Sequence, residues 1–160
     1  MIKVTEFNKN NSLVANAIAF ASACHLNQTD KGGNAYILHP LRMMMRLRTD
    51  NEELMCVAIL HDVMEDCGVT EEDLYEIGMS KKVVEAIKLL TRNLDQSYEM
   101  FIEGLRGNLY ALLVKRQDLK DNSDLSRTKD IRPKDFERME KYIKAYLRVE
   151  GMLREMGYAV

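Results

Sequence analysis

The residues best suited to chemistry lie in the middle of the chain. His61 and Asp62 follow directly on an apolar run at 54–60 and are themselves followed by Val63 and Met64. An ionised carboxylate without a partner in such surroundings costs many kcal/mol, so it must shift its pKa, find a cation or bind a metal. Glu65 and Asp66 stand four residues after His61 and Asp62, one helical turn further along. A His-Asp dipeptide alone reads most simply as a satisfied buried pair, and chemistry requires donors from elsewhere.

Two other segments carry such donors. His39 precedes Pro40 where a polar loop gives way to an apolar-periodic stretch, and loops next to rigid elements commonly present ligands. Asp118 lies in the mainly apolar stretch 112–119, where Lys115, three residues earlier on the same face, is its simplest partner. Two histidines and two aspartates drawn from three helices would form a mixed nitrogen and oxygen site for a divalent first-row ion. Positions would stay open there for water and a phosphate oxygen.

The elements that must position these groups all have helical period. Expected helices cover 12–27, 40–48, 51–67, 70–77, 80–91, 97–105, 109–125 and 133–156. Pro40 and Pro133 suit a first helical turn, Gly68 suits a helix end, and Thr70 with Asp73 has capping-box spacing. Asp30, Lys31, Gly32, Gly33 and Asn34 break the period and mark a loop. In the last helix, Phe136, Met139, Tyr142, Ile143, Tyr146, Leu147 and Met152 are expected on one broad inward face. The fold class is therefore all-α, a helical bundle, with a single domain over 1–160.

Composition narrows the function. The chain has 160 residues, 46% hydrophobic and 30% charged, which suits a soluble globular domain with its own core. A formal net charge of −2 disfavours DNA or RNA as partner. No apolar run approaches the roughly 20 residues that span a bilayer, and the N-terminal residues lack a leader pattern. Three cysteines, Cys24, Cys56 and Cys67, have no metal-type spacing and read as reduced thiols. The expected setting is cytoplasmic, and a homo-oligomer is compatible with it.

The pattern His39, then His61 with Asp62, then Asp118 resembles that of the HD-domain metal-dependent phosphohydrolases. With Tyr36 before His39, Glu65 and Asp66 after the central pair, and Asn122 after Asp118, it resembles more closely the hydrolase domain of Rel/SpoT-type alarmone enzymes and their small stand-alone relatives. The resemblance covers nearly the whole chain. It implies an all-helical bundle holding one Mn2+ through His39, His61, Asp62 and Asp118, with Glu65 and Asp66 orienting or activating the attacking water. It also implies removal of pyrophosphate from the ribose 3′ position of guanosine tetra- or pentaphosphate, with Asn122 contacting the nucleotide. Lys31, Lys115 and Arg127 are candidate phosphate contacts.

One position departs from that pattern. Asp30 stands where such hydrolases usually carry an arginine that packs on the guanine, and an acidic side chain offers no guanidinium stack. This motivates alternatives: the same chemistry on another nucleotide, such as removal of the 2′-phosphate of NADPH, or a helical sensor that binds a phosphorylated ligand without turning it over.

Overall fold

In a computed structural model, residue 7 and residues 10–159 are described, and every regular element among them is helical. Most of the N-terminal stretch read for a leader lies outside the described residues. The helices are α1 (Leu13–Cys24), α2 (Leu38–Leu47), α3 (Glu52–Leu60), α4 (Val63–Cys67), α5 (Glu71–Glu76), α6 (Lys81–Leu90), α7 (Tyr98–Glu103), α8 (Leu109–Asn122) and α9 (Pro133–Glu155). A 3-10 turn, η1 (Leu125–Arg127), links α8 to α9. No described helix is long and apolar enough to cross a membrane.

Capping explains where several helices begin. Ser12, Asn51, Ser80, Ser97 and Asn108 each accept the backbone N–H three residues on, satisfying a donor that the first turn leaves unpaired. Thr70 and Asp73 form the reciprocal capping box. Gly68 ends α4 with φ of 67°, a left-handed conformation that glycine adopts without steric penalty.

The apolar run at 54–60 makes α3 the central element. Leu54 and 56–60 are buried, and α3 packs on α1, α2, α6 and α8. Because it is covered on several sides, its apolar residues need not form a single stripe. Ala17 and Ala21 bring α1 close to it, and Leu112, Leu119, Val149, Met152 and Leu153 close the core from α8 and α9.

Three expectations change. The expected helix 51–67 is broken in two at His61 and Asp62, because His61 Nδ1 donates to the Ala58 carbonyl at 2.8 Å and Asp62 adopts φ −104°, ψ −5°. The helix then restarts, with the Asp66 N–H donating to the Asp62 carbonyl at 2.9 Å. Helix α2 begins at Leu38, so His39 is in its first turn rather than in the loop before it. In α9, Phe136, Ile143 and Leu147 are 61%, 55% and 64% exposed, whereas Met139 and Met152 are buried. Only one flank of α9, packed on α8 and α7, is covered, so its inward face is narrower than the apolar pattern implied.

Candidate metal centre

His39 from α2, His61 and Asp62 from the α3–α4 break, and Asp118 from α8 meet at one point. His39 Nε2 is 3.2 Å from Asp118 Oδ1 and 3.9 Å from Asp62 Oδ2. His61 Nε2 is 2.8 Å from Asp62 Oδ2 and 3.9 Å from Asp118 Oδ1. The donor atoms of His39, His61 and Asp62 lie within 4.8 Å of one another. On an unbroken helix, adjacent side chains diverge by about 100°. The turn between α3 and α4 removes that divergence for His61 and Asp62.

The remaining ring nitrogens are held from outside. His39 Nδ1 lies 2.6 Å from Asp121 Oδ2, and since a carboxylate only accepts, Nδ1 donates. His61 Nδ1 donates to the Ala58 carbonyl. Both rings therefore aim Nε2 inward. His61 Nε2 is buried without a hydrogen-bond partner: the nearby Asp62 oxygen is close but poorly aligned. Two inward Nε2 atoms facing two carboxylates are a donor set that fits a divalent first-row ion, which would take the place of the protons those carboxylates favour on the rings.

The charges are strongly coupled. Burial disfavours a charge on His39, but hydrogen bonds to Asp118 and Asp121 outweigh it and push its pKa up to about 9. His61 shifts up as well, where Asp62 outweighs complete burial. Burial raises Asp118, yet Lys115, 2.7 Å away, and the two imidazoles hold its carboxyl far below the usual range. Lys115 is in turn held charged chiefly by Asp118 against its own burial. The pairing of Lys115 with Asp118 and the meeting of Asp118 with the histidines thus coexist.

Glu65 and Asp66 lie on α4 beside this group. With His61, Asp62, Lys115 and Asp118 they line a cavity of about 220 Å³. Burial first, then the neighbouring Asp62, raises both carboxyls above their ordinary values. The backbone N–H of Arg92 donates to Glu65 Oε2 at 3.4 Å. Tyr36 donates a very short hydrogen bond to Asp62, fixing that carboxylate from the α2 side.

A second cavity of about 290 Å³ adjoins the first, the two sharing Tyr36, Asn122 and Tyr142. Of the predicted phosphate contacts, Lys31 and Arg127 line this second cavity, Lys115 lines the first, and Asn122 borders both. Asn122 also donates to Asp118 at 2.6 Å. Arg127 makes three hydrogen bonds, a very short one to the Asp121 carboxylate, one to the Asp121 carbonyl at 2.8 Å and one to Asp30 at 3.1 Å. Asp30 also closes its own loop by accepting the N–H groups of Gly32 and Asn34, each at 2.9 Å. A β-carbon at Gly32 would come within 3.0 Å of the Arg127 carbonyl, so the loop approaches η1 too closely for a larger residue.

Asp121 is the residue that sequence reasoning missed. It is fully buried on α8, three residues past Asp118, and receives His39, Arg42 at 3.0 Å, Arg46 at 2.8 Å and Arg127. Its signal in the sequence was only its offset from Asp118, one turn on, where charged residues normally face solvent.

An all-helical scaffold whose histidines and aspartates converge in this way has the HD-type fold. The chain superposes on the structure of a metazoan ortholog of SpoT that hydrolyzes ppGpp, with a TM-score of 0.67 over 93% of this chain and 98% of that one, at 18% identity. In sequence it is similar to guanosine-3′,5′-bis(diphosphate) 3′-pyrophosphohydrolases. It is 47% identical to the Vibrio cholerae protein over 57 residues, 34% of this chain and 8% of that one. It is 27% identical to the Aquifex aeolicus protein over 119 residues, 68% of this chain and 17% of that one. The chain thus spans less than a fifth of the length of these relatives. No protein-family model matches it. In fold and in sequence the chain resembles the hydrolase domain of Rel/SpoT-type alarmone enzymes.

Proposed function

We propose that the chain is a manganese-dependent phosphohydrolase that removes pyrophosphate from the 3′ position of guanosine 3′,5′-bis(diphosphate). The observation that carries the reading is the inward-facing, unpartnered Nε2 of His61, set against His39, Asp62 and Asp118 and beside Glu65 and Asp66. His39, His61, Asp62 and Asp118 would hold the ion. Bound there, it supplies Lewis acidity, which lowers the pKa of water and offsets charge gathering on phosphoryl oxygens.

The rest falls to side chains. Glu65, at the cavity wall with a raised pKa, takes the proton from the attacking water, a general-base role that suits a carboxylate not already paired with a cation. Asp66 orients that water. Lys115 keeps Asp118 ionised and places a positive charge on the cavity wall, where negative charge builds on the phosphate. Asn122 and Lys31 contact the nucleotide from the adjoining cavity. Three cysteines free of disulfides suit a cytoplasmic setting.

Incubation with Mn2+ and guanosine 3′,5′-bis(diphosphate) is expected to release pyrophosphate, and none at any manganese concentration would reject this substrate. One observation favours a second reading. Asp30 occupies its loop with its own backbone and Arg127, so the loop offers no free guanidinium for a purine. The same chemistry would then act on another nucleotide, NADPH included, and a panel of nucleotides separates the two. Ligand binding without turnover of any panel member would leave a sensor.

A further inference from the structure

The cavity beside the metal centre opens onto a third concavity of about 590 Å³, which it joins through Lys31, Thr128 and Arg138. This outer concavity gathers five cations, Lys31, Lys129, Arg132, Lys134 and Arg138, in a chain whose net charge is −2. Only Asp130 and Asp135 oppose them there. Asp135 is already committed: it accepts the Arg132 backbone N–H at 2.8 Å to cap α9 and pairs with Arg138 at 2.7 Å.

Among the described residues, Lys31, Lys129 and Lys134 make no ion pair. Lys31 also has its pKa lowered, by burial first and then by Arg138, Lys134 and Lys141, against the pull of Asp135. Like charges gathered in a concave wall destabilise one another and focus a positive potential into the space they enclose. A merely solvated charged face would interleave its signs and relieve that repulsion, as Glu140 with Lys144 does elsewhere on α9.

We propose that Lys31, Lys129, Arg132 and Lys134 form a second anion site, distinct from the metal centre, which receives a di- or triphosphate at the far end of the substrate. The three concavities run in sequence, from the hydrolytic chamber past Tyr36, Asn122 and Tyr142 to this basic mouth. A nucleotide bearing phosphate groups on both sides of its ribose matches that order. The identity of the ligand rests on the activity proposed above; the existence of the anion site does not.

The test uses the full chain and the double variant Lys129→Ala/Lys134→Ala, both exposed positions outside the catalytic machinery. Inorganic tripolyphosphate, titrated calorimetrically, should bind the parent chain and bind the variant about ten-fold more weakly, the scale of losing hydrogen bonds to charged groups. With guanosine 3′,5′-bis(diphosphate), KM should rise by a similar factor while kcat and metal content hold. With guanosine 3′-diphosphate, which has a free 5′ hydroxyl, KM should not move.

Equal KM changes for both nucleotides, or unchanged tripolyphosphate affinity, would overturn the proposal. So would a short RNA that displaces tripolyphosphate more tightly than any nucleotide, since it would make nucleic acid the ligand. If neither nucleotide is hydrolysed while tripolyphosphate binding still depends on Lys129 and Lys134, the activity reading fails and the anion site stands.

Discussion

His39 Nδ1 lies 2.6 Å from Asp121 Oδ2, and that carboxylate, fully buried, also receives Arg42, Arg46 and Arg127. One acidic side chain therefore orients an imidazole of the candidate metal centre and anchors three guanidiniums from α2 and η1. Burial raises the Asp121 carboxyl, but the hydrogen bonds from His39 and Arg42, with the charge of Arg127, outweigh it and hold it well below the ordinary range.

Asp121→Asn should weaken Mn2+ affinity by about 10- to 100-fold, the scale seen when an outer partner of a metal-bound histidine is lost. It should also cost roughly 2–4 kcal/mol of stability, because guanidiniums about a third exposed keep part of their hydration when their anion is removed. Metal titration and urea unfolding measure the two separately.

Substituting His61→Ala or Asp62→Ala should abolish both metal binding and hydrolysis. Glu65→Gln should leave the metal content unchanged and slow kcat by ~10²-fold or more, since it removes a base and no ligand. Metal analysis beside steady-state kinetics decides it: equal metal loss in the Glu65 variant would make Glu65 a ligand.

Glu103 joins α7 to α9 through Arg148 and also binds Arg106, and these hydrogen bonds lower its pKa to about 2. A carboxyl depressed in the folded state adds stability above its unfolded pKa of about 4.3. That contribution is lost as pH falls from there toward 2. Glu103→Gln should therefore flatten the acid limb of a melting-temperature profile between those values and leave metal binding unaffected.

On α9, Ile143→Lys should shift stability by no more than about 0.5 kcal/mol, because Ile143 is 55% exposed. Met152→Ala, at a fully packed position of the same helix, should cost about 2–5 kcal/mol. Chemical unfolding of the two variants tests which face of α9 is inward.

The helical character of the chain, the central place of 54–60 and the polar side chains that meet at the candidate site were legible from the residues themselves, because helical period, caps and a buried charge all leave local marks. His39, His61, Asp62 and Asp118 stand out for that reason, each being polar in or beside apolar surroundings. The α3–α4 break left no such mark. It depends on the His61 ring reaching the Ala58 carbonyl while Asp62 is drawn toward His61 and Tyr36. The inward face of α9 was likewise misread, since its apolar residues exceed what its neighbours cover.

Sequence alone thus determined which residue types are available for metal and phosphate chemistry and that helices would carry them, since these are local properties of composition and spacing. Tertiary structure decided which of those groups meet. It turned His61 and Asp62 toward one point, set Asp121 behind His39, and gathered Lys31 with Lys129 and Lys134 across nearly a hundred intervening residues. Such encounters follow from how α2, α8 and α9 pack around α3, where long-range burial and charge pairing outweigh any local preference.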